Sequence, residues 1–269
     1  MVPRLNTMVV AAVVLFFVSG ALSAPAAMAQ QEFTIQSEAL QEAREIIVHV
    51  PENYDPKNQD GYPVLYVLDP DFPDDVGMQP DDIAAKTVSN AIVIGIRNIR
   101  RSVDFLPHYY SATINGEKVS GNGGKLLAFI KDELIPFVDK NYRISGQRVF
   151  MGHSWAGQFV AYTLGQTPET FDAYIITSPA MDGRFGEKTF DALKEVADRG
   201  VKIPDFVYVS VGGDEEAGLI EAYENLSSVL GQHFPEKVAF HHEVNKGLNH
   251  DNNGQLSQPR ALELYFPLP

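Results

Sequence analysis

The stretch that decides the fold reads VFMGHSWAG, at positions 149–157. The apolar run at 148–153 predicts a strand, and the residues at 156–166 have the pattern of a helix. Ser154 therefore stands at a strand-to-helix junction. A serine in such a tight turn is typical of a nucleophile elbow, which presents the hydroxyl at the end of a sheet.

The elbow needs small residues close to the serine because the strand and the helix approach each other there. Gly152 precedes Ser154 by two residues, and Gly157 follows it by three. Ala156 stands where a second glycine is more usual, and alanine is small enough to fit. The free N–H groups at the start of the helix favour an oxyanion. The alternative is a structural turn that contains an incidental serine.

Apolar segments alternate with helical ones along most of the chain. Strands are predicted at 45–51, 63–69, 90–96, 148–153, 173–178, 206–212 and 238–244. Helices are predicted at 123–140, 156–166, 189–200, 217–232 and 258–266, and a long loop at 97–122. Strands that are apolar on both faces are typical of parallel sheets covered on both sides. The pattern predicts an α/β protein with a mostly parallel, doubly wound sheet flanked by helices.

The first 29 residues have the pattern of a secretory signal peptide. An apolar region at 8–22 is followed by Ala27-Met28-Ala29, which predicts cleavage before Gln30. A membrane anchor is the weaker alternative, because the apolar region is shorter than the roughly 20 residues that a span needs. We expect a periplasmic or secreted protein with no membrane span after cleavage. Residues 30–269 would form a single domain of the size usual for this class.

The composition narrows the possible chemistry. The chain has 269 residues, no cysteine and a net charge of −14. The lack of cysteine excludes disulfides, thiolate catalysis and cysteine-bound metal sites. An acidic surface repels nucleic acids and anionic membranes, so neither is expected as a partner.

A serine nucleophile needs a general base, and histidine is the expected residue. His49 lies in an early strand and His153 is adjacent to the serine, so neither suits the role. His241 and His242 lie in the last predicted strand and point to opposite faces. His250 lies in a polar loop after that strand, where the chain order serine, acid, histidine places the base.

The third member of such a triad is a carboxylate that orients the histidine. The predicted strand at 206–212 is followed by Asp214, Glu215 and Glu216. We favour Asp214 as the acid, although the spacing leaves the two glutamates open.

The oxyanion of an acyl-transfer intermediate needs two backbone N–H donors. One is expected from Trp155, which follows the nucleophile. The other is expected from the loop after the strand at 63–69. Pro70 has no N–H, so Asp71 is the predicted donor. The Trp155 ring either lines the acyl pocket or packs against the core.

These motifs resemble the esterases of the α/β-hydrolase superfamily, in particular enterochelin (siderophore) esterase-like proteins. S-formylglutathione hydrolase, an esterase of the D type, and the mycolyltransferases share that fold. The resemblance implies Ser154 as the nucleophile, His250 as the base and an acid within 214–216. The segments that carry it are YVLDPD (66–71), VIGIRNIRRSVDFLP (93–107), LLAFIKDELIPFVDKNYR (126–143), GHSWAG (152–157) and FDAYIITSPAM (171–181).

The sequence departs from the family pattern at Ala156, at Pro70 and in the polar run NHDNNG (249–254). The expected activity is hydrolysis of a small-molecule ester through an acyl-enzyme, with no cofactor or metal. Acyl transfer to an alcohol or sugar, cleavage of short peptides, and a non-catalytic binding protein are the alternatives. The loops at 71–89 and 97–122 and residues 179–187 would shape the substrate pocket.

Overall fold

The computed structural model describes residues 30–70, 87–107, 111–114, 117–181 and 184–267. The predicted signal peptide at 1–29 lies outside these residues and stays a prediction.

One large sheet dominates the described residues. Its eight strands lie in the order β1-β2-β4-β3-β7-β8-β9-β10. The pairs from β4 through β10 are parallel, whereas β1 and β2 join antiparallel at one edge. The strand bounds are β1 Gln30–Ser37, β2 Glu42–His49, β3 Tyr62–Leu68, β4 Ile92–Ile96, β7 Ile144–His153, β8 Ala173–Thr177, β9 Phe206–Gly212 and β10 Ala239–Asn245. A separate hairpin joins β5 (Ser111–Ile114) to β6 (Glu117–Ser120).

Helices connect the strands and cover the sheet. They are α1 Arg101–Asp104, α2 Gly123–Ala128, α3 Ile135–Asn141, α4 Trp155–Gln166, α5 Arg184–Lys194, α6 Ala217–His233 and α7 His250–Tyr265. Two apolar clusters pack on the sheet, and α7 contributes Ala261 and Leu262 to the smaller one. The predicted α/β class and mostly parallel sheet are confirmed. No helix among the described residues is long and apolar enough to cross a membrane.

Several elements differ from the sequence-based prediction. The helix predicted at 123–140 is interrupted by a π-helical turn, Phe129–Leu134, just before Pro136. Proline has no N–H to donate to the preceding turn, so a regular helix cannot continue through it. The loop predicted at 97–122 contains α1 and the β5–β6 hairpin.

A buried ion pair ties the antiparallel edge of the sheet to α1. The guanidinium of Arg44 in β2 lies 3.0 Å from the carboxylate of Asp104, and both side chains are fully buried. Arg44 also donates to the Arg97 carbonyl, and Asn122 donates to the second oxygen of Asp104. A buried charge left without its partner is costly, so this pair fixes the segment that follows β4.

We expect Asp104→Ala to lower the free energy of unfolding by about 3–5 kcal/mol, because it removes the fully buried carboxylate that pairs with the buried charge of Arg44. Urea denaturation measures the change. Glu42→Ala is the matched control: Glu42 also pairs with Arg44, but its side chain is 25% exposed. Equal losses in the two variants would contradict the role assigned to the buried pair.

Candidate active site

Ser154 occupies the sharp turn between β7 and α4. Its φ is 60° and its ψ is −121°, a conformation that costs a residue with a side chain about 1–3 kcal/mol. The turn is held by the Ser154 N–H, which donates to the Thr177 carbonyl at 3.0 Å. The N–H groups of Gln158 and Ala180 donate to the Ser154 carbonyl. The backbone is therefore fixed on both sides of the strained residue.

The small residues around Ser154 are required by close backbone contacts. A Cβ atom at Gly152 would lie 2.6 Å from the carbonyl carbon of Ala156. A Cβ at Gly157 would lie 2.9 Å from the Thr177 carbonyl oxygen. Ala156 itself is 1% exposed, so its methyl group fits where the family pattern has glycine.

Three side chains form a continuous hydrogen-bonded chain at the carboxyl ends of the parallel strands. Ser154 Oγ lies 2.9 Å from His250 Nε2, and His250 Nδ1 lies 2.8 Å from Glu215 Oε2. A carboxylate can only accept, so Nδ1 carries the proton and Nε2 accepts from the serine hydroxyl. This is the tautomer that a general base requires.

The structure corrects the predicted acid. Glu215, not Asp214, contacts His250, and the Asp214 side chain is exposed. The Glu215 N–H donates to the Gly212 carbonyl and closes a turn after β9, so its side chain folds back onto the strand end. The Asp214 N–H instead donates to the Leu248 carbonyl. Nothing in three consecutive carboxylates shows which one the turn will direct inward.

The carboxylate of Glu215 is held by three donors. Its Oε1 accepts from the Ser178 hydroxyl and from the Gly212 N–H, each at 2.6 Å. Burial raises the pKa of Glu215, but hydrogen bonds from His250, Ser178 and Gly212 outweigh it, so the pKa lies below its usual value. Glu215 is therefore ionised at neutral pH and can accept the hydrogen bond from His250.

His250 lies at the start of α7 and not in a loop. The helix begins eight residues earlier than predicted because Asn249 caps it. The Asn249 side chain accepts from the N–H groups of Asp251 and Asn252. The Asn252 side chain in turn accepts from the Asn249 N–H. This reciprocal cap fixes the first turn and therefore the position of the His250 ring.

His153 packs behind the His250 ring, with the ring centres 4.8 Å apart. The Thr177 hydroxyl donates to the Gly152 carbonyl, so it accepts from His153 Nδ1 at 3.1 Å. His153 Nε2 is buried without a hydrogen-bond partner among the described residues. Burial, and then the positive charge that His250 can carry, lower the pKa of His153 to about 3. Sequence reasoning gave this histidine no role.

Of the two predicted oxyanion donors, only Trp155 can be described. Its N–H is the first of α4 and has no acceptor among the residues described here. Asp71 lies outside the described residues, and its predicted role stays a prediction. The strand that leads to it, β3, ends at Leu68, and the next residue, Asp69, has a positive φ of 56°.

Asp69, which directly follows β3, is anchored by two side chains. Its carboxylate accepts from Asn98 at 2.7 Å and from Arg101 at 2.5 Å. Burial raises the pKa of Asp69, and the ion pair with Arg101 opposes that shift. The Arg101 guanidinium lies 5.9 Å from the centre of the Trp155 ring, within cation–π range. Arg101 thus connects the end of β3 to the elbow.

Two of the three hydrogen-bonded side chains, Ser154 and His250, line a cleft of about 410 Å³. Trp155, Ala180 and Leu219 provide its apolar walls, and Gln158 and Glu216 its polar ones. Gly218 completes the lining. Of the residues expected to shape the pocket, Phe105 is instead fully buried in the core.

The sequence also matches the model of a protein family described as "Putative esterase" over residues 37–252. The chain belongs to this esterase family. The match confirms the family that the sequence motifs indicated, and ester hydrolysis is the activity of the protein. None of the curated protein sequences matches the chain significantly.

Solved structures that are similar to this chain in fold include the following three. An IroE-like serine hydrolase from Shewanella oneidensis is 20% identical, with a TM-score of 0.75, covering 88% of this chain and 80% of its own. The BES protein from Bacillus cereus is 23% identical, with a TM-score of 0.71, covering 92% and 98%. The siderophore hydrolase EstB from Aspergillus nidulans is 20% identical, with a TM-score of 0.65, covering 93% and 100%. These similarities show the fold.

The low pKa of His153 predicts a loss of stability in acid. The unfolded chain takes up a proton on this histidine below about pH 6.5, whereas the folded protein takes it up only near pH 3. Stability should therefore fall as pH decreases through that window. Between pH 7 and pH 5, the free energy of unfolding of His153→Asn should fall by about 2 kcal/mol less than that of the wild type.

Urea denaturation at the two pH values measures this difference. Asparagine keeps a donor for Thr177 but cannot be protonated. The same substitution at His233, which is exposed at the end of α6, is the control for the loss of a histidine. Equal acid sensitivity of His153→Asn and the wild type would contradict a neutral, buried His153.

Proposed function

We propose that the protein is a serine carboxylic ester hydrolase that works through an acyl-enzyme on Ser154. The observation that carries the proposal is the continuous chain of hydrogen bonds from Ser154 through His250 to Glu215. In this proposal Ser154 is the nucleophile, His250 the general base and Glu215 the acid that orients the imidazole.

In the first half-reaction, Ser154 Oγ attacks the ester carbonyl carbon while His250 Nε2 takes the hydroxyl proton. The bond from the carbonyl carbon to the alcohol oxygen then breaks, and His250 gives its proton to that oxygen. In the second half-reaction, His250 takes a proton from water, which attacks the acyl-serine. The serine oxygen leaves with the proton, and a carboxylic acid is released.

The electrostatic support for these steps comes from the elbow and the acid. The unpaired Trp155 N–H at the start of α4 would donate to the oxyanion, with the Asp71 N–H as the proposed second donor. Ionised Glu215 would stabilise the imidazolium that forms while His250 holds the proton. The three donors around Glu215 keep that charge in place.

The substrate is proposed to be a small-molecule ester. Two structural neighbours are described as siderophore hydrolases and a third as a ferulic acid esterase. Acyl transfer to an alcohol or sugar is the second candidate, because the same residues would perform its first half-reaction. We further propose that residues 1–29 direct export to the periplasm or the medium and that residues 30–269 form one domain.

We expect the protein to hydrolyse p-nitrophenyl esters and Ser154→Ala to lose about a thousandfold or more of the turnover. Release of p-nitrophenolate across chain lengths from acetate to laurate measures this. A phosphonate probe should label the wild type and not the variant. A protein that neither hydrolyses any ester nor reacts with the probe would overturn the proposal and favour a binding protein.

The identity of the acid gives a separate test. Glu215→Gln should lower kcat by about a hundredfold to ten-thousandfold, because a neutral amide cannot stabilise the imidazolium. Asp214→Asn removes the same charge from the neighbouring, exposed position and should change kcat less than about threefold. If the two variants behaved in the reverse order, the assignment of Glu215 would be wrong.

A further inference from the structure

A second groove lies beside the catalytic cleft, between α5 and α6. Its volume is about 600 Å³, larger than that of the cleft itself. The two spaces share Gly218, which lines both. They also meet along the chain, because Ala180 lines the cleft and the next residue, Met181, lines the groove. The groove therefore adjoins the catalytic cleft.

The groove follows matching stripes on the two helices. On α6 the lining residues recur at helical spacing from Gly218 through Ala222 and Asn225 to Val229. Eleven residues of helix correspond to about 16 Å. On α5 the facing stripe runs from Glu187 through Phe190 to Lys194. Both helices begin after the carboxyl ends of their strands, so the groove leads from the reacting centre outward.

The lining combines apolar surface with negative charge. Met181, Phe190 and Val229 provide apolar walls. Glu187 and Glu221 line the groove from opposite helices, and Glu216 lines the adjoining cleft.

None of these three glutamates forms an ion pair within the described residues. The cation of the groove, Lys194, is paired with Asp191 at 2.9 Å. The local charge is therefore negative and adds to the net charge of −14. Such a lining attracts cations and repels anions.

We propose that this groove binds the acyl arm of the ester and selects an extended, apolar arm that carries a cationic group. This inference rests on the proposed function of Ser154. Apolar walls favour a hydrocarbon chain, and the unpaired carboxylates favour an ammonium over a carboxylate or another anion. The acyl arm is the proposed occupant because the groove begins at Met181, next to Ala180, whose N–H donates to the carbonyl of Ser154, the residue that would carry the acyl group.

Three p-nitrophenyl esters with one leaving group test the selection. Octanoate has a neutral arm, ω-(trimethylammonio)octanoate ends in a cation, and the monoester of nonanedioic acid ends in a carboxylate. We expect kcat/KM for the cationic ester to be about fivefold higher than kcat/KM for octanoate. It should be about tenfold or more higher than kcat/KM for the anionic ester. The preference should weaken at high salt, because exposed charges are screened.

Two variants test whether the groove causes this substrate preference. In the double variant Glu187→Gln/Glu221→Gln, the preference for the cationic over the anionic ester should shrink at least about fivefold. Glu224→Gln is the matched charge control, because Glu224 lies on α6 but does not line this groove.

Gly218→Leu should lower the ratio of kcat/KM for octanoate to that for acetate at least about tenfold, because it fills the junction of the cleft and the groove. A Cβ at Gly218 meets no atom within 4 Å, so the fold tolerates a side chain there. Gly218→Ala adds the same helix preference without filling the space and is its control.

The outcomes separate the two proposals. If Ser154→Ala hydrolyses p-nitrophenyl acetate as well as the wild type, the proposed function fails. If acetate hydrolysis depends on Ser154 but the three long esters react alike, the groove proposal is overturned and the esterase proposal stands. The groove proposal is also overturned if Gly218→Leu leaves the octanoate-to-acetate ratio unchanged.

Discussion

The backbone of Ser154 is held in a conformation that a residue with a side chain rarely adopts, and the site depends on it. The strain is offset by the bond to the Thr177 carbonyl in β8 and by the absence of a Cβ at Gly152, where α4 crosses the end of β7. Because β7 lies inside the parallel sheet, the strand ends that carry Glu215 and His250 face the same edge. The elbow therefore fixes the position of the Ser154 hydroxyl, and the strand order brings Glu215 and His250 to it.

Features formed by consecutive residues were easier to predict from the sequence than features that depend on contacts between distant segments. The elbow and its flanking strand and helix were predictable because the residues that form them are consecutive. His250 was selected by chain order alone, and the structure brings it within 2.9 Å of Ser154. The choice among the carboxylates at 214–216 depends on a turn after β9 and on contacts with the Leu248 backbone. These contacts join distant segments, so spacing could not reveal them.

The polar run NHDNNG, which departs from the family pattern, has a structural explanation. Asn249 caps α7, and Asn253 is fully buried. Its amide donates to the Ser178 and Ser210 hydroxyls, and Ser178 in turn donates to Glu215. The asparagines of this run support Glu215 and the start of α7 from behind, and among its residues His250 lines the cleft. A buried network of this kind is stabilising only when its members are satisfied, and here each bond leads to another polar group.

In the proposed function, the carboxylates divide into those that position the site and those that would meet a ligand. Glu215 is buried and the Asp69 side chain is 11% exposed, and each is held by specific donors, so their charges serve to position the site. Glu216 and Glu221 are exposed and lie along the path from the cleft into the groove. Hydrolysis of any ester produces a carboxylate. In the proposed mechanism, the negative lining that would favour a cationic arm would also disfavour retention of the carboxylate product once the acyl-enzyme is cleaved.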